Sequence, residues 1–302
     1  MDKNKLLGAG MLLITAMIWG AAFVAQKEGG GVGAFTFNAI RMLIGSLVLV
    51  PVIFLTKGKT TESKSEKKTV WLGGVICGVI LCAATLLQQI GLETESAGKG
   101  GFITALYIII VPLISMFIGK RSNALVWIGV VFAGVGMYLL CFKKGEVNSV
   151  SDIFSLTKGE LLLFACSIMF SVHILVIDAF SPKVNGVKMS CIQFLVAGII
   201  CAIGMFIFEN PQIDTILEYW QPILYTGVMS SGVAYTLQIV GQKHVQPVIA
   251  SLIMSLESVF AVIFAWVLPP HATMSVREII GCVIIFVAII LAQLKLPQKA
   301  KV

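Results

Sequence analysis

Hydrophobic residues in this chain neither alternate nor keep to one helical stripe. They run on for about twenty positions at a time, separated by short polar breaks. About twenty apolar residues in a helix cross the ~30 Å hydrocarbon core of a bilayer. Ten such runs are predicted as helices: Leu6–Gln26, Ala34–Leu55, Val70–Gly91, Gly100–Ile118, Ala124–Cys141, Gly159–Ala179, Met189–Phe208, Trp220–Gly241, Val248–Leu268 and Val276–Leu294. The breaks are too short to hold a water-soluble domain. The pattern therefore predicts an all-α polytopic membrane protein with ten transmembrane helices. The first run is longer than the ~7–15-residue core of a signal peptide and reads as a retained span.

Composition agrees with the pattern. The chain is 58% hydrophobic and 12% charged, with a mean hydropathy of +0.96. A soluble domain carries about 25% charged residues, and a disordered chain has low hydrophobicity, so both classes are excluded. All seven cysteines fall within or at the ends of apolar runs, without metal-ligand spacing. They read as small apolar side chains, and no metal site is expected.

Lysine and arginine set the expected orientation. One side collects 15 of them, among them Lys57, Lys59, Lys64, Lys67, Lys68, Lys120, Arg121 and Lys295, and the other side 6, with Arg41 inside a span. The positive-inside bias puts both termini in the cytoplasm of a multi-pass plasma (inner) membrane protein.

The chain also repeats itself at an offset of about 150 residues. Trp19-Gly20 meets Phe170-Ser171, and Ile40-Arg41-Met42-Leu43 meets Ile192-Gln193-Phe194-Leu195. Leu87-Gln88-Gln89-Ile90-Gly91 meets Leu237-Gln238-Ile239-Val240-Gly241, and Ile128-Gly129 meets Ile280-Gly281. The expected domains are residues 1–141, a linker 142–158, and residues 159–302. Five spans per copy is odd, so the second copy enters from the opposite face: two inverted five-helix repeats. In secondary transporters that design places a site near the midplane, between the repeats.

Three stretches resemble the drug/metabolite transporter (DMT) superfamily, EamA type: Ala16-Met17-Ile18-Trp19-Gly20, the run PVIASLIMSLESVFA from Pro247 to Ala261, and Glu278-Ile279-Ile280-Gly281-Cys282. The resemblance covers nearly the whole chain. It implies ten helices in two inverted halves and transport of small organic solutes such as amino acids, often outward. It also implies a cavity enclosed by the first, third and fourth helices of each half. The Leu-Gly-Glu common after the family's fourth and ninth helices reads Ile118-Gly119-Lys120 and Val267-Leu268-Pro269 here.

Polar side chains in hydrocarbon must face protein or a wet cavity. Stripes of them mark candidate pathway residues: Thr15, Trp19 and Gln26 on the first span, Thr85, Gln88 and Gln89 on the third, and Thr104 and Tyr107 on the fourth. Ser231, Tyr235, Gln238 and Gln242 follow on the eighth, and Ser251, Ser255 and Ser258 on the ninth. Each stripe alone reads more readily as glue between packed helices, whereas the five together favour a lined pathway. Glu257, at mid-depth in its span, costs about 2.5–3.5 kcal/mol on insertion scales. Either a neighbour hydrogen-bonds its protonated form, or it couples protons or binds a substrate amine. Arg41 snorkels, forms an ion pair, or faces a substrate carboxylate. His173 is a packing residue or a titrating one.

Gly58-Lys59-Thr60 lacks the upstream glycine of a phosphate-binding loop, and no His-Glu-x-x-His or nucleophile elbow is present. No enzyme activity, cofactor or nucleic-acid partner is expected. The expected function is secondary transport of a small organic solute by alternating access, with protons as a candidate coupling ion. The alternatives are a proton-coupled exporter of cationic drugs and a non-transporting scaffold or receptor; oligomeric state stays open. Inverted threading makes one prediction. Glu62→Cys and Asp214→Cys should react with a membrane-impermeant maleimide from opposite faces, and labelling from one face would refute it.

Overall fold

The computed structural model describes residues 3–55, 63–119, 124–141, 157–268 and 276–293. Lys57, Lys59, Lys120, Arg121, Lys143, Lys144, Lys295, Lys299, Lys301, Pro269, His271, Leu294 and most of the expected linker lie outside the described residues, which are helical throughout apart from short connections.

The first span is Lys3–Glu28, the second Ala34–Leu55 and the third Lys64–Thr94. The fifth is Ala124–Cys141, the sixth Lys158–Phe180, the seventh Gly186–Phe208 and the tenth Val276–Gln293. Three expected continuous spans differ in winding. The fourth is broken into Ala97–Thr104 and Tyr107–Phe117, and the ninth into Pro247–Met254 and Leu256–Val267. The eighth runs from Trp220–Tyr225 through a π-helical segment, Thr226–Tyr235, into Thr236–Gln242. Eight of these units are long and apolar enough to cross a membrane, and the fifth and tenth contain shorter apolar cores, Ala124–Gly136 and Ile279–Leu291.

The two broken spans bend by different local means. In the ninth, Ser251, Ser255 and Ser258 each donate to the carbonyl three residues back, at 2.8 Å. Such back-bonding competes with the regular helix ladder. Around the fourth span's break, Leu106, Ile108 and Ile109 instead use tight i→i−3 backbone bonds.

Helix ends are tied down by side chains. Ser63 with Glu66, and Thr157 with Glu160, form reciprocal capping boxes at the starts of the third and sixth spans. Glu209, at the end of the seventh, accepts from the Phe35 and Thr36 backbone N–H groups and the Thr36 hydroxyl, at 2.7–2.9 Å. A carboxylate at the second span's N-terminus satisfies donors that the helix cannot. Gly33 takes a φ of +95° there, and any side chain would strike that carboxylate.

Spans of one half pack chiefly on spans of the other: first on eighth and ninth, sixth on third and fourth, second on seventh, fifth on tenth. Exchanging every span for the one five places along maps these pairs onto themselves. Glycines permit the close approaches. A methyl group on Gly20 would meet Phe260 Cβ, with the Phe260 carbonyl carbon at 2.7 Å and Ala261 N at 2.8 Å. Gly281 lies at the fifth–tenth seam opposite Gly136. Overpacking a tight seam costs about 1–3 kcal/mol. Gly20→Ala should therefore lower the thermal midpoint of the detergent-solubilised protein, whereas Gly10→Ala, with nothing near its Cβ, should not.

Candidate functional site

Polar and aromatic side chains from both halves converge on one internal cavity. Its walls come from the first span (Trp19, Ala22, Phe23, Gln26), Arg41 of the second, Gln88 of the third, and Thr104 and Tyr107 flanking the fourth span's break. The second half supplies Phe170 and Ile174 of the sixth span, Ser230, Tyr235 and Gln238 of the eighth, and Glu257 just past the ninth span's break. Discontinuous helices at matching positions in two halves are where transporter folds expose polar groups at mid-depth. The space between these walls that is wide enough for water is about 20 Å³, room for about one water molecule.

Two buried ionisable groups share this cavity. Glu257 is 3% exposed, and its Oε1 accepts a 2.8 Å hydrogen bond from the Tyr107 hydroxyl. Tyr107 and Glu257 are 150 residues apart, so equivalent positions in the two halves touch each other. Arg41 is 1% exposed, so it does not snorkel: its guanidinium Nε and Nη2 both donate to Asn38 Oδ1, at 2.9 and 2.8 Å. The group also sits 5.6 Å over the Phe37 ring. No carboxylate lies within 4 Å of it among the described residues, so the expected ion pair is absent as well. Asn38 is held from behind, its Nδ2 donating to Ala34 O at 2.8 Å. The neutral amide one turn back therefore fixes the direction of the guanidinium.

Three of the buried polar atoms without partners lie here. Trp19 Nε1, Gln26 Oε1 and Gln238 Oε1 make no hydrogen bond, although buried polar groups are nearly always paired. Gln88 Nε2 donates weakly to Thr104 Oγ1 at 3.3 Å. The Trp19 ring lies 4.6 Å from that of Tyr235, which Phe194 and His173 flank edge-on. The wall thus offers one acid, one cation, free amide and indole groups, and aromatic faces. Among the described residues no cluster of three His, Cys, Asp or Glu could hold a metal ion.

Of the residues singled out from the sequence, Trp19, Gln26, Arg41, Gln88, Thr104, Tyr107, Tyr235, Gln238 and Glu257 line the cavity. The other nine do not; Thr85, Gln89, Gln242, Ser251 and Ser258 donate to backbone carbonyls instead. Thr15 donates to Met11 O and Ala234 O, both at 3.0 Å, joining the first and eighth spans. Ser255 is spent on Leu252 O. His173 is fully buried behind the wall, with Nε2 3.1 Å from Gln193 Oε1. Ser231 packs against Gly45 of the second span, while its neighbour Ser230 faces the cavity. A regular helix sets Ser231 on the face of Tyr235, but π winding puts residues five apart in line and exchanges the two serines. The apolar liners Ala22, Phe23, Phe170 and Ile174 carried no polar signal; the first two share their helix face with Trp19 and Gln26.

These features define a polytopic membrane protein with a polar cavity between two structurally corresponding halves. The family model of the EamA-like transporter family matches residues 6–142 and again 157–294. The chain belongs to the EamA-like transporter family and is a multi-pass membrane protein. It is similar to an uncharacterized transporter of Archaeoglobus fulgidus, 26% identical over 94% of this chain and 85% of that one. It is also similar to the uncharacterized transporter YoaV of Bacillus subtilis, 22% identical over 91% and 92% of the two chains. A solved crystal structure, 17% identical, has the same fold, with a TM-score of 0.77 over 97% of both chains.

The Arg41–Asn38 contact carries a stability prediction. Asn38→Ala strands two buried guanidinium donors, which costs about 1–3 kcal/mol. Thermal unfolding in detergent should show the loss, and Asn38→Asp, which keeps the acceptor and adds a charge, should restore it.

Proposed function

We propose that the protein is a secondary transporter of a small zwitterionic organic solute of the amino-acid class, working by alternating access. One observation carries this reading: a single buried cavity holds Arg41 without a carboxylate partner and Glu257 held only by Tyr107. A buried cation left without an anion is costly, and a solute carboxylate would offset that cost with charge-assisted hydrogen bonds. The solute's ammonium group would then meet Glu257, in competition with the Tyr107 hydroxyl. Trp19, Phe23, Phe170 and Tyr235 would surround its side chain. Arg41 also weighs against the cationic-drug reading, since a lone cation would enter a wall that already carries positive charge.

The two matched segments support two repeats, residues 1–141 and 159–302; an odd number of spans per repeat and the positive-inside bias support their inversion across the plasma membrane with both termini cytoplasmic. The outward direction rests on family likeness. Nothing in the described residues resembles a nucleotide site, so uphill movement would draw on an ion or solute gradient. Glu257 is the residue placed to exchange a proton as the solute binds.

Proteoliposomes loaded with a panel of labelled amino acids and their decarboxylated amines test the reading. Arg41→Gln should lower amino-acid flux on the order of tenfold or more, the scale of one charge-assisted hydrogen bond, while sparing the amines. Glu257→Gln should abolish flux or make it insensitive to a pH gradient. Absence of flux with the whole panel would leave a scaffold or receptor. Unchanged flux and pH response in Glu257→Gln would remove that residue from the mechanism.

A further inference from the structure

The two halves pack by the same device at each end of the cavity. Beyond Gln88, one turn along the third span, a methyl on Gly91 would lie 2.7 Å from Leu163 Cγ and 3.0 Å from Gly159 O of the sixth. Beyond Gln238, one turn along the eighth, a methyl on Gly241 would lie 3.2 Å from Leu12 Cγ and 3.0 Å from Gly8 O of the first. Each residue of one seam stands about 150 positions from its counterpart in the other. The seams sit at opposite ends of the first span: Gly8 belongs to one, while Lys27 donates to Leu92 O, beside the other, at 2.8 Å. At 1.5 Å per residue they are about 28 Å apart, with the cavity between them.

The ends differ in charge. At the Gly91–Gly159 seam, Lys99 Nζ lies 2.6 Å from Glu160 Oε1 and 3.1 Å from Glu95 Oε2. Thr157 Oγ1 donates to Glu95 Oε1 at 2.6 Å, and Glu160 Oε2 accepts from Thr157 N at 2.6 Å. One lysine of the fourth span therefore ties the end of the third to the start of the sixth, with its side chain 23% exposed. At the Gly8–Gly241 seam the four equivalent positions are Leu6, Ala9, Val245 and Ile249. None of these can form an ion pair.

From this asymmetry we infer that Lys99, with Glu95, Glu160 and Thr157, is an electrostatic latch that sets which end of the cavity opens, a regulation that rests on the transporter reading above. Closing the latched end brings two carboxylates together around one ammonium. Without the ammonium, the two carboxylates repel across the third–sixth seam and part it. The other end carries apolar side chains at these positions, so screening weakens the latch and leaves these four contacts unmoved. By the positive-inside bias, the latched end faces outward.

The test reads accessibility and needs no knowledge of the solute. Ala22→Cys, on the cavity wall, serves as reporter in a protein whose native cysteines are replaced, and a charged, membrane-impermeant thiol reagent is applied to each face of sealed vesicles. Lys99→Met should raise the labelling rate from the latched face at least about fivefold and lower it from the other; Lys99→Arg should leave both rates unchanged. Raising salt to about 1 M, where the screening length falls to about 3 Å, should shift the unsubstituted latch in the same direction as Lys99→Met, which keeps the test valid if that variant does not fold. Gly8→Ala, whose methyl would meet Gly241 O at 2.8 Å, should raise labelling from the opposite face. Unchanged rates, or an equal rise from both faces, would overturn the latch. Shifted labelling without solute flux would keep the latch and refute the transport reading; flux without shifted labelling would do the reverse.

Discussion

Hydrocarbon offers no hydrogen bonds, and that single constraint orders the interior of this protein. Every polar side chain inside a span must be absorbed by its own helix, by a neighbouring helix or by an internal cavity. The serines of the ninth span take the first route, bonding carbonyls three residues back. Thr15 and the glutamines Gln89 and Gln242 take the second, reaching Ala234 O, Gln26 O and Ile174 O across helix seams. The residues left over, Glu257, Arg41, Trp19, Gln26 and Gln238, take the third and form the cavity.

Packing between halves provides the frame for that remainder. Neither half forms a self-contained bundle; the strongest associations join a span of one to a span of the other. Helix–helix attraction in lipid comes from close van der Waals contact, since apolar surface gains little by leaving one apolar medium for another. Glycines at the seams, with Phe260, Leu163 or Leu12 against them, supply that contact.

The helices were legible in the sequence because a span must be apolar for its full length, and runs of that length stand out. Their interruptions were not. The apolar run through Ala105 and Leu106 is unbroken, and the π winding of Thr226–Tyr235 leaves no mark in hydropathy. That winding is why spacing arguments chose Ser231 where Ser230 faces the cavity. Polar stripes found seven of the lining residues, because costly side chains in lipid must go somewhere specific, and could not separate them from Thr15 or Ser255, which are equally polar and satisfied locally. Arg41 misled in a different way. Its length allows it to reach the headgroups, but Asn38, three residues earlier, holds it inside.

Tyr107 and Glu257 occupy matching places in the two halves and hydrogen-bond to each other. A residue on a two-fold axis always confronts its own copy, so two identical subunits arranged this way would present two phenols or two carboxyls. Two acids in such proximity would contend for one proton, and two phenols would hold no anion at all. Carrying both halves on one polypeptide lifts that restriction and lets a lone acid sit on the axis beside a dedicated donor. Having both matched segments in one chain thereby permits a chemical polarity that no homodimer of either half could possess.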